Sequence, residues 1–284
     1  MNYELINNIA LGTPQWQTIK GRIKRENKQL LTLTAMPRFA DILNSEQISG
    51  VNLIDHLIGR QYDQSGYRFF NDVPVPDGDQ IFMNADGSIS IINNGDPIGQ
   101  EFLFSKTRRR AQDVRYMNPD GSLDYIHEFA FDGSTFSNIL YYNNEIQELD
   151  FMDKQERVHI RFFYYNKVIN LVTIENPETH VVEAKYDTLL AFITDQLAKM
   201  VTPDDTITIT YLGLELDAIS QTSSHNVLDM VEDPYDAQGK VRGNLLGILE
   251  NRIPNVQEVL VSQRNYQRLA DDGIATDKLR VVNQ

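Results

Sequence analysis

The clearest pattern in the chain is a series of short apolar and aromatic runs, each ended by a turn signal, over residues 114–175. The turns recur about every 11 residues, the spacing expected of an antiparallel meander. They are Asn118-Pro119-Asp120-Gly121, Asp132-Gly133, Asn143-Asn144, Asp153-Lys154-Gln155 and Tyr165-Asn166-Lys167. Asn, Asp and Gly tolerate the positive φ angles of tight hairpins, and charged residues interrupt the apolar runs. We therefore predict an antiparallel sheet with one packed face and one solvated face.

Helical and strand patterns alternate on both sides of this region. Residues 16–26 carry apolar side chains four apart, as on one face of a helix, and residues 29–35 form a short apolar run typical of a buried strand. Further along, residues 186–200 have apolar positions at helical spacing, and residues 206–211 alternate as a strand does. This alternation is typical of a parallel sheet with crossover helices.

Two closely spaced prolines, Pro74 and Pro76, indicate a boundary, because proline fits neither a helix interior nor a central strand. The sequence thus predicts an α/β domain in two parts, residues 1–76 and 177–284. An antiparallel β-sheet domain, residues 77–176, is inserted between them.

Composition limits the function classes. The net charge is −14, with 40 acidic and 26 basic residues, which argues against a nucleic-acid partner because phosphate neutralisation needs a basic face. The chain has no cysteine, which excludes thiolate catalysis, cysteine-ligated zinc and disulfides. The first dozen residues lack the features of a secretory signal, and no apolar run reaches the ~18–20 residues of a membrane span. A cytoplasmic setting is expected.

The sequence offers little catalytic chemistry. None of the five histidines has a second histidine or a carboxylate at metal-site spacing, and no glycine-rich phosphate loop is present. Asp77-Gly78-Asp79 resembles an Asp-x-Asp metal motif, but its surroundings favour a turn. His225 follows two serines in what we predict to be a loop after a strand, where α/β folds bind ligands. We expect no metal, no cofactor and no catalytic constellation.

Two features favour binding. The basic run 106–110, which contains Arg109, is open to two interpretations: contact with an acidic partner or anionic lipid, or a solvated segment that guards a strand edge. In residues 162–165 the rings alternate between faces, so one pair suits the core and the other suits stacking on sugar or peptide. The predicted binding residues are Tyr141, Phe163 and Tyr165, with Arg109 and His225 as further candidates.

The order of these elements is itself distinctive. It runs through residues 29–35, 37–43, 52–58, 115–121, 139–142 and 204–209. This order resembles the accessory Sec system proteins of Gram-positive bacteria, in particular the first of the three Asp-type export components. The stretch 69–76, Phe-Phe-Asn-Asp-Val-Pro-Val-Pro, is similar to the non-catalytic, chaperone-like subunit of the paired glycosyltransferase in the same system.

The resemblance implies a GT-B-like layout, in which an extended β-sheet domain is inserted into the first Rossmann-like half. It implies a non-enzymatic role in exporting glycosylated serine-rich repeat adhesins. The implied partners are other accessory Sec proteins in a hetero-oligomer, and the adhesin itself, with peripheral contact at the inner face of the membrane left open. Relatives carry a second Rossmann-like half, for which a chain that stops at Gln284 has no room. We therefore expect either a fragment or a reduced form, and no independent sugar transfer in either case.

Two alternatives stay open. The first alternative is the export component. The second is a glycosyltransferase or the acceptor-binding subunit of one, and its donor site would be supplied by a further half or by a partner. A third reading is a scaffold whose sheet edge pairs with itself.

Overall fold

The computed structural model describes residues 1–107 and 109–282, and these contain seven α-helices and seventeen β-strands. The helices are α1 (Pro14–Glu26), α2 (Phe39–Glu46), α3 (Leu53–Ile58), α4 (Leu189–Met200), α5 (Leu214–Ala218), α6 (Gly243–Leu249) and α7 (Gln263–Asp271). The strands are β1 (Asn2–Ile6), β2 (Gln29–Thr32), β3 (Gly50–Asn52), β4 (Gln80–Met83), β5 (Ile89–Asn93), β6 (Asp96–Leu103), β7 (Ala111–Met117), β8 (Leu123–Phe129), β9 (Thr135–Tyr142), β10 (Glu145–Met152), β11 (Val158–Tyr165), β12 (Val168–Glu175), β13 (Val182–Tyr186), β14 (Thr206–Ile209), β15 (His225–Asp229), β16 (Glu258–Val261) and β17 (Leu279–Val281). None of the helices in the described ranges is long and apolar enough to cross a bilayer.

The chain divides into two compact units. The parallel-sheet unit contains Met1–Thr34, Gln47–Leu53 and the chain from Leu190 onward. The antiparallel unit contains Ala35–Glu46 and Ile54–Leu189. The predicted architecture, an α/β domain interrupted by an antiparallel sheet, is confirmed.

The parallel-sheet unit holds a seven-stranded sheet in the order β17-β16-β15-β14-β1-β2-β3, and every neighbouring pair is parallel. From β1 the chain proceeds to β2 and β3 on one side, and after the insertion it returns through β14 to β17 on the other. The strand order therefore reverses between β1 and β14. In open α/β sheets the crevice outside the carboxyl ends of the strands at such a point is where ligands bind.

Helix α1 packs on this sheet, and residues at its two ends determine where it begins and stops. The Thr13 hydroxyl accepts a hydrogen bond from the Trp16 backbone N–H at 3.2 Å, and Pro14 occupies the first helical position. Asn27 ends the helix with φ of 50°. Trp16 and Ile23 are buried on the face that packs inward.

The antiparallel unit holds a ten-stranded sheet in the strictly sequential order β13 to β4. Its tight turns use positive φ angles, including Asn143 at 51° and Asn144 at 60°, which confirms the turn chemistry predicted from the sequence. The strands run from Gln80 to Tyr186, so β13 lies beyond the predicted end of the insertion at residue 176. The inserted domain at residues 77–176 stays a prediction, as do the flanking parts 1–76 and 177–284.

Residues upstream of the sheet contribute to the same unit. The Phe131 backbone N–H donates to the Pro37 carbonyl oxygen at 2.9 Å. Val73, which lies in the proline-rich segment, is buried against Val114 and Phe129. That segment is therefore part of the core of the antiparallel unit as well as a connection, because its valines cover one face of the sheet.

Arg60 ties α3 to two strands of this unit. Its side chain is fully buried, and its Nε contacts Asp55 at 3.1 Å. Its terminal nitrogens donate to the carbonyl oxygens of Thr135 at 3.0 Å, Phe136 at 3.2 Å, and Met152. Burial raises the pKa of Asp55 to about 6, although Arg60 acts to lower it.

Candidate functional site

Strand pairing in the antiparallel sheet assigns the predicted aromatic residues to faces. Glu148 of β10 lies opposite Phe163 of β11 and opposite Leu140 of β9. Neighbouring residues of a strand point to opposite faces, so Phe163 and Tyr165 share one face, which we call the Arg161 face. Tyr141 follows Leu140 and lies on the other face, which we call the Phe162 face. The structure thus separates Tyr141 from the two residues with which it was grouped.

Beside Phe163, the Arg161 face carries a network of charges that we call the Arg161 cluster. The Arg161 guanidinium contacts Glu148, Asp150 at 3.0 Å and Glu175 at 3.0 Å. The Thr173 hydroxyl donates to Glu175 at 3.0 Å. Burial, with the neighbouring Glu148 carboxyl, raises the pKa of Asp150 above its usual value, while Arg161 lowers it.

Three carboxyl groups surround one guanidinium on this face, and Glu148 is the most exposed of the three at 22%. One oxygen of Asp150 is buried and has no hydrogen-bond partner among the described residues. Carboxyl oxygens accept hydrogen bonds from hydroxyl, amide and cationic groups, and they repel phosphates. The arrangement therefore suits a ligand rich in N–H and O–H donors.

Tyr141 lies in a different environment on the Phe162 face. Burial raises the pKa of Tyr141, Arg115 lowers it and Glu128 raises it, and Tyr141 in turn interacts electrostatically with Tyr164. The Arg115 guanidinium lies 4.0 Å from the centroid of the Phe102 ring. Tyr141 is half-buried among these groups, as an ordinary sheet residue would be.

Tyr165 lies at the end of the sheet where β9 meets β10 and β11 meets β12. Tyr165 is 69% exposed, and Tyr142, at the equivalent position of the preceding hairpin, is 70% exposed. Val168 and Met117 are also exposed at this end, and we call these four residues the hairpin end. Sequence reasoning missed Tyr142, although both tyrosines directly precede a turn of two residues with positive φ.

Arg109 is exposed in the loop between β6 and β7, and its carbonyl oxygen accepts a hydrogen bond from the Phe70 N–H at 2.9 Å. The neighbouring Arg110 is half-buried, with its guanidinium 4.3 Å from the centroid of the Phe131 ring. Arg108, a member of the same predicted basic run, lies outside the described residues. The basic run is thus divided between a packed arginine and an exposed one.

The predicted position of His225 in a loop is wrong. His225 is the first residue of β15, opposite Thr206 at the start of β14, and its ring lies 3.6 Å from a Glu258 oxygen. It therefore occupies the amino end of the parallel sheet. The ligand crevice of an open α/β sheet lies at the carboxyl end, so the physical reason given for a role of His225 does not hold.

A groove of about 590 Å³ lies beside α1 in the parallel-sheet unit, at the carboxyl end of β15. Arg22 lies in its wall and donates to both oxygens of Glu4, and it also contacts Asp229. Burial raises the pKa of Glu4, whereas Arg22 acts to lower it. Because two carboxylates surround this guanidinium, a phosphate would have to compete for it.

A second groove of about 450 Å³ includes Thr210 and Tyr211 and shares Thr18 with the first. Across residues 1–107 and 109–282, no group of three His, Cys, Asp or Glu side chains is positioned to hold a metal ion.

Solved structures share this fold. The Glycosylation Associate Protein (Gap123) complex from Streptococcus agalactiae matches 100% of this chain and 60% of the neighbour, at 14% identity and a TM-score of 0.71. Accessory secretory protein 1, 2 and 3 of Streptococcus pneumoniae matches 100% of this chain and 62% of the neighbour, at 12% identity and a TM-score of 0.74. The pneumococcal O-GlcNAc transferase GtfA, solved with UDP and GlcNAc, matches 99% of this chain and 59% of the neighbour, at 9% identity and a TM-score of 0.73.

No protein-family model matches the chain, and a search of curated proteins returned no match. The chain spans about three fifths of the length of the solved structures that it resembles. At these identities the similarity is one of fold. The fold predicted from the sequence resemblance, shared by accessory secretory proteins and a glycosyltransferase of GT-B type, is confirmed.

Proposed function

We propose that the chain is a non-enzymatic, glycosyltransferase-like component of an accessory Sec export system. It binds other accessory proteins in a hetero-oligomer and receives a serine-rich repeat adhesin on its antiparallel sheet. The observation that carries this proposal is the match of the whole chain to an accessory secretory complex and to a glycosylation-associated complex. The setting that we propose is the cytoplasm, with peripheral contact at the inner face of the membrane.

The Arg161 face supports the choice of cargo. A serine-rich polypeptide offers hydroxyl and amide donors along its whole length, and attached sugars add further hydroxyls. The carboxyl group of Glu148, the most exposed of the three around Arg161, supplies acceptors, while Phe163 and Tyr165 supply aromatic surface for stacking. Such a face suits this cargo better than it suits an anionic ligand.

The first test is a titration of the protein with matched serine-rich repeat peptides, bare and carrying N-acetylglucosamine. Tyr165→Ser and Phe163→Ala are expected to weaken binding, whereas Tyr141→Ala, on the opposite face, is expected to leave it unchanged. Leu11→Ser is the control for loss of an exposed apolar side chain in the parallel-sheet unit. Equal losses for Tyr141→Ala and Phe163→Ala would contradict the assignment of the Arg161 face.

The form of peptide that binds separates the functions. Binding of the sugared form alone supports an export component that recognises finished cargo. Binding of the bare form alone favours the acceptor-binding subunit of a transferase. Binding of neither peptide leaves assembly with accessory proteins as the role of the sheet. That role is measured as complex formation by sedimentation.

A second candidate is a glycosyltransferase or its acceptor-binding subunit. The similarity to a transferase solved with UDP and GlcNAc favours it, together with the grooves at the carboxyl end of the parallel sheet. The pairing of Arg22 with Glu4 and Asp229 disfavours a phosphate there. Hydrolysis of UDP-GlcNAc by this chain alone, with loss of activity in Arg22→Met, would overturn the non-enzymatic proposal.

A further inference from the structure

The strand β4 forms one edge of the ten-stranded sheet and lacks the charged side chains that often protect an edge. Its four residues, Gln80-Ile81-Phe82-Met83, include no charged side chain. Phe82 is 53% exposed and Met83 is 45% exposed. The opposite edge strand, β13, carries Glu183 and Lys185 within five residues. Charged side chains keep sheet edges from pairing with other chains, so β4 is the edge open to a further strand.

The hairpin between β4 and β5 determines which backbone groups point outward. Its closing bond runs from the Asn84 N–H to the Ser88 carbonyl oxygen at 2.8 Å. Hydrogen-bonded and non-hydrogen-bonded pairs alternate along an antiparallel ladder, so Phe82 exchanges its backbone bonds with its partner Ser90. The N–H and C=O groups of Ile81 and Met83 therefore point away from β5, toward the open edge.

Acidic residues surround this edge. Residues 73–105 contain five acidic and no basic side chains. Asp77 and Asp79 precede β4, and Asp86 lies in the turn that follows it. Each of these three carboxylates is within a few residues of the open backbone groups, so an incoming strand passes between negative charges at both ends.

A second copy of the chain is a poor occupant of this edge. Antiparallel pairing of Ile81 with Met83 of another copy would bring the turn that contains Asp86 toward the other copy's Asp77 and Asp79. Like charges facing each other across a strand pair are destabilising. A strand with Lys or Arg at both ends would instead meet complementary charges.

We propose that the β4 edge is a docking site for a β-strand of a protein partner, with alternating apolar residues at its centre and basic residues at its ends. The partner strand extends the sheet through the outward groups of Ile81 and Met83, and its apolar side chains contact Phe82 or Met83. This proposal rests on the proposed function, because it names where a partner protein engages the antiparallel unit.

The test uses a fluorescent peptide of alternating Thr and Val with Lys-Arg at both ends, titrated into the full chain. A peptide with the same centre and Glu-Asp at both ends is the charge control. Met83→Pro removes one outward N–H without removing a bond to β5, since proline is tolerated at such edge positions. Val182→Lys, on the exposed side of β13, is the matched control for Met83→Lys.

We expect the basic peptide to bind the wild type more tightly than the acidic peptide. Met83→Pro and Met83→Lys are expected to weaken binding about tenfold, and Val182→Lys to leave it unchanged. Equal binding of both peptides, undiminished binding to Met83→Pro, or no binding to the wild type would overturn the proposal. Dimerisation of the wild type that Met83→Pro abolishes would also overturn it, in favour of a second copy.

The same variants separate this proposal from the proposed function. Met83→Pro is expected to bind the serine-rich peptides as the wild type does, because the Arg161 cluster lies on strands at the other side of the sheet. If Met83→Pro forms complexes with accessory proteins as well as the wild type does, the docking site at the β4 edge is overturned and the proposed function stands.

Discussion

Replacement of Arg60 by methionine tests the packing of the antiparallel unit most directly. The substitution keeps an unbranched apolar stem and removes the guanidinium. It leaves the Asp55 carboxylate buried without the Arg60 guanidinium, and it removes the hydrogen bonds that Arg60 donates to the carbonyl oxygens of Thr135, Phe136 and Met152. These strands would lose their connection to α3.

The expected loss of stability depends on pH. Removing one partner of a buried ion pair destabilises a protein by about 3–5 kcal/mol. The pKa of Asp55 is raised to about 6 from 3.8, so its contribution is fully present below pH 3.8 and is lost as pH rises through 6. Without Arg60 the pKa rises further. We therefore expect the full loss at pH 8 and, with Asp55 protonated, a smaller loss at pH 5 that comes from the missing hydrogen bonds to the carbonyl oxygens.

The assay is chemical unfolding followed by far-ultraviolet circular dichroism at both pH values, with hydrogen exchange of β9 and β10 to locate the loss. The only tryptophan, Trp16, belongs to the parallel-sheet unit, so its fluorescence reports on the other unit. Arg157→Met is the control, because Arg157 is 38% exposed and pairs with Asp153, where about 1 kcal/mol or less is expected. An equal loss for both variants, or a loss for Arg60→Met that is the same at pH 5 and pH 8, would refute the reasoning.

Two further substitutions test the same unit by unfolding measurements. Gly121→Ala should destabilise the protein by about 1 kcal/mol, and Gly133→Ala by well over that. Both glycines have positive φ, but only at Gly133 would a Cβ lie 2.5 Å from the Arg68 backbone nitrogen. Equal losses of stability would contradict the close packing at Gly133. Glu101→Gln should stabilise the protein most at pH 9 and least at pH 4. Burial, with the charge of Asp113, raises the pKa of Glu101 to about 8, so the stability that Glu101 contributes is lost as pH rises from 4.5 through 8. A gain in stability that does not depend on pH would contradict this explanation.

Local sequence was sufficient for the turns of the meander and for α1, although it predicted a loop where β15 begins. The pair Asn143-Asn144 adopts positive φ because its side chains tolerate that conformation, and α1 begins at a threonine cap followed by proline. The sequential meander follows from such turns, since each tight hairpin brings a strand beside its predecessor in the chain. The alternation of helices and strands on both sides of the meander predicted an α/β domain with an inserted antiparallel sheet, and the resemblance added the GT-B-like layout.

Long-range packing decided the grouping of side chains. Tyr141 and Phe163 belong to neighbouring parts of one meander, yet the register of β9, β10 and β11 places them on opposite faces. The register shift between Ile146 and Glu148 has no local signature in the sequence. The Arg161 cluster joins residues of three strands, and Arg60 joins α3 to carbonyl oxygens about 75 to 92 residues away. Such contacts depend on which strands meet and in what register, so tertiary packing alone sets them.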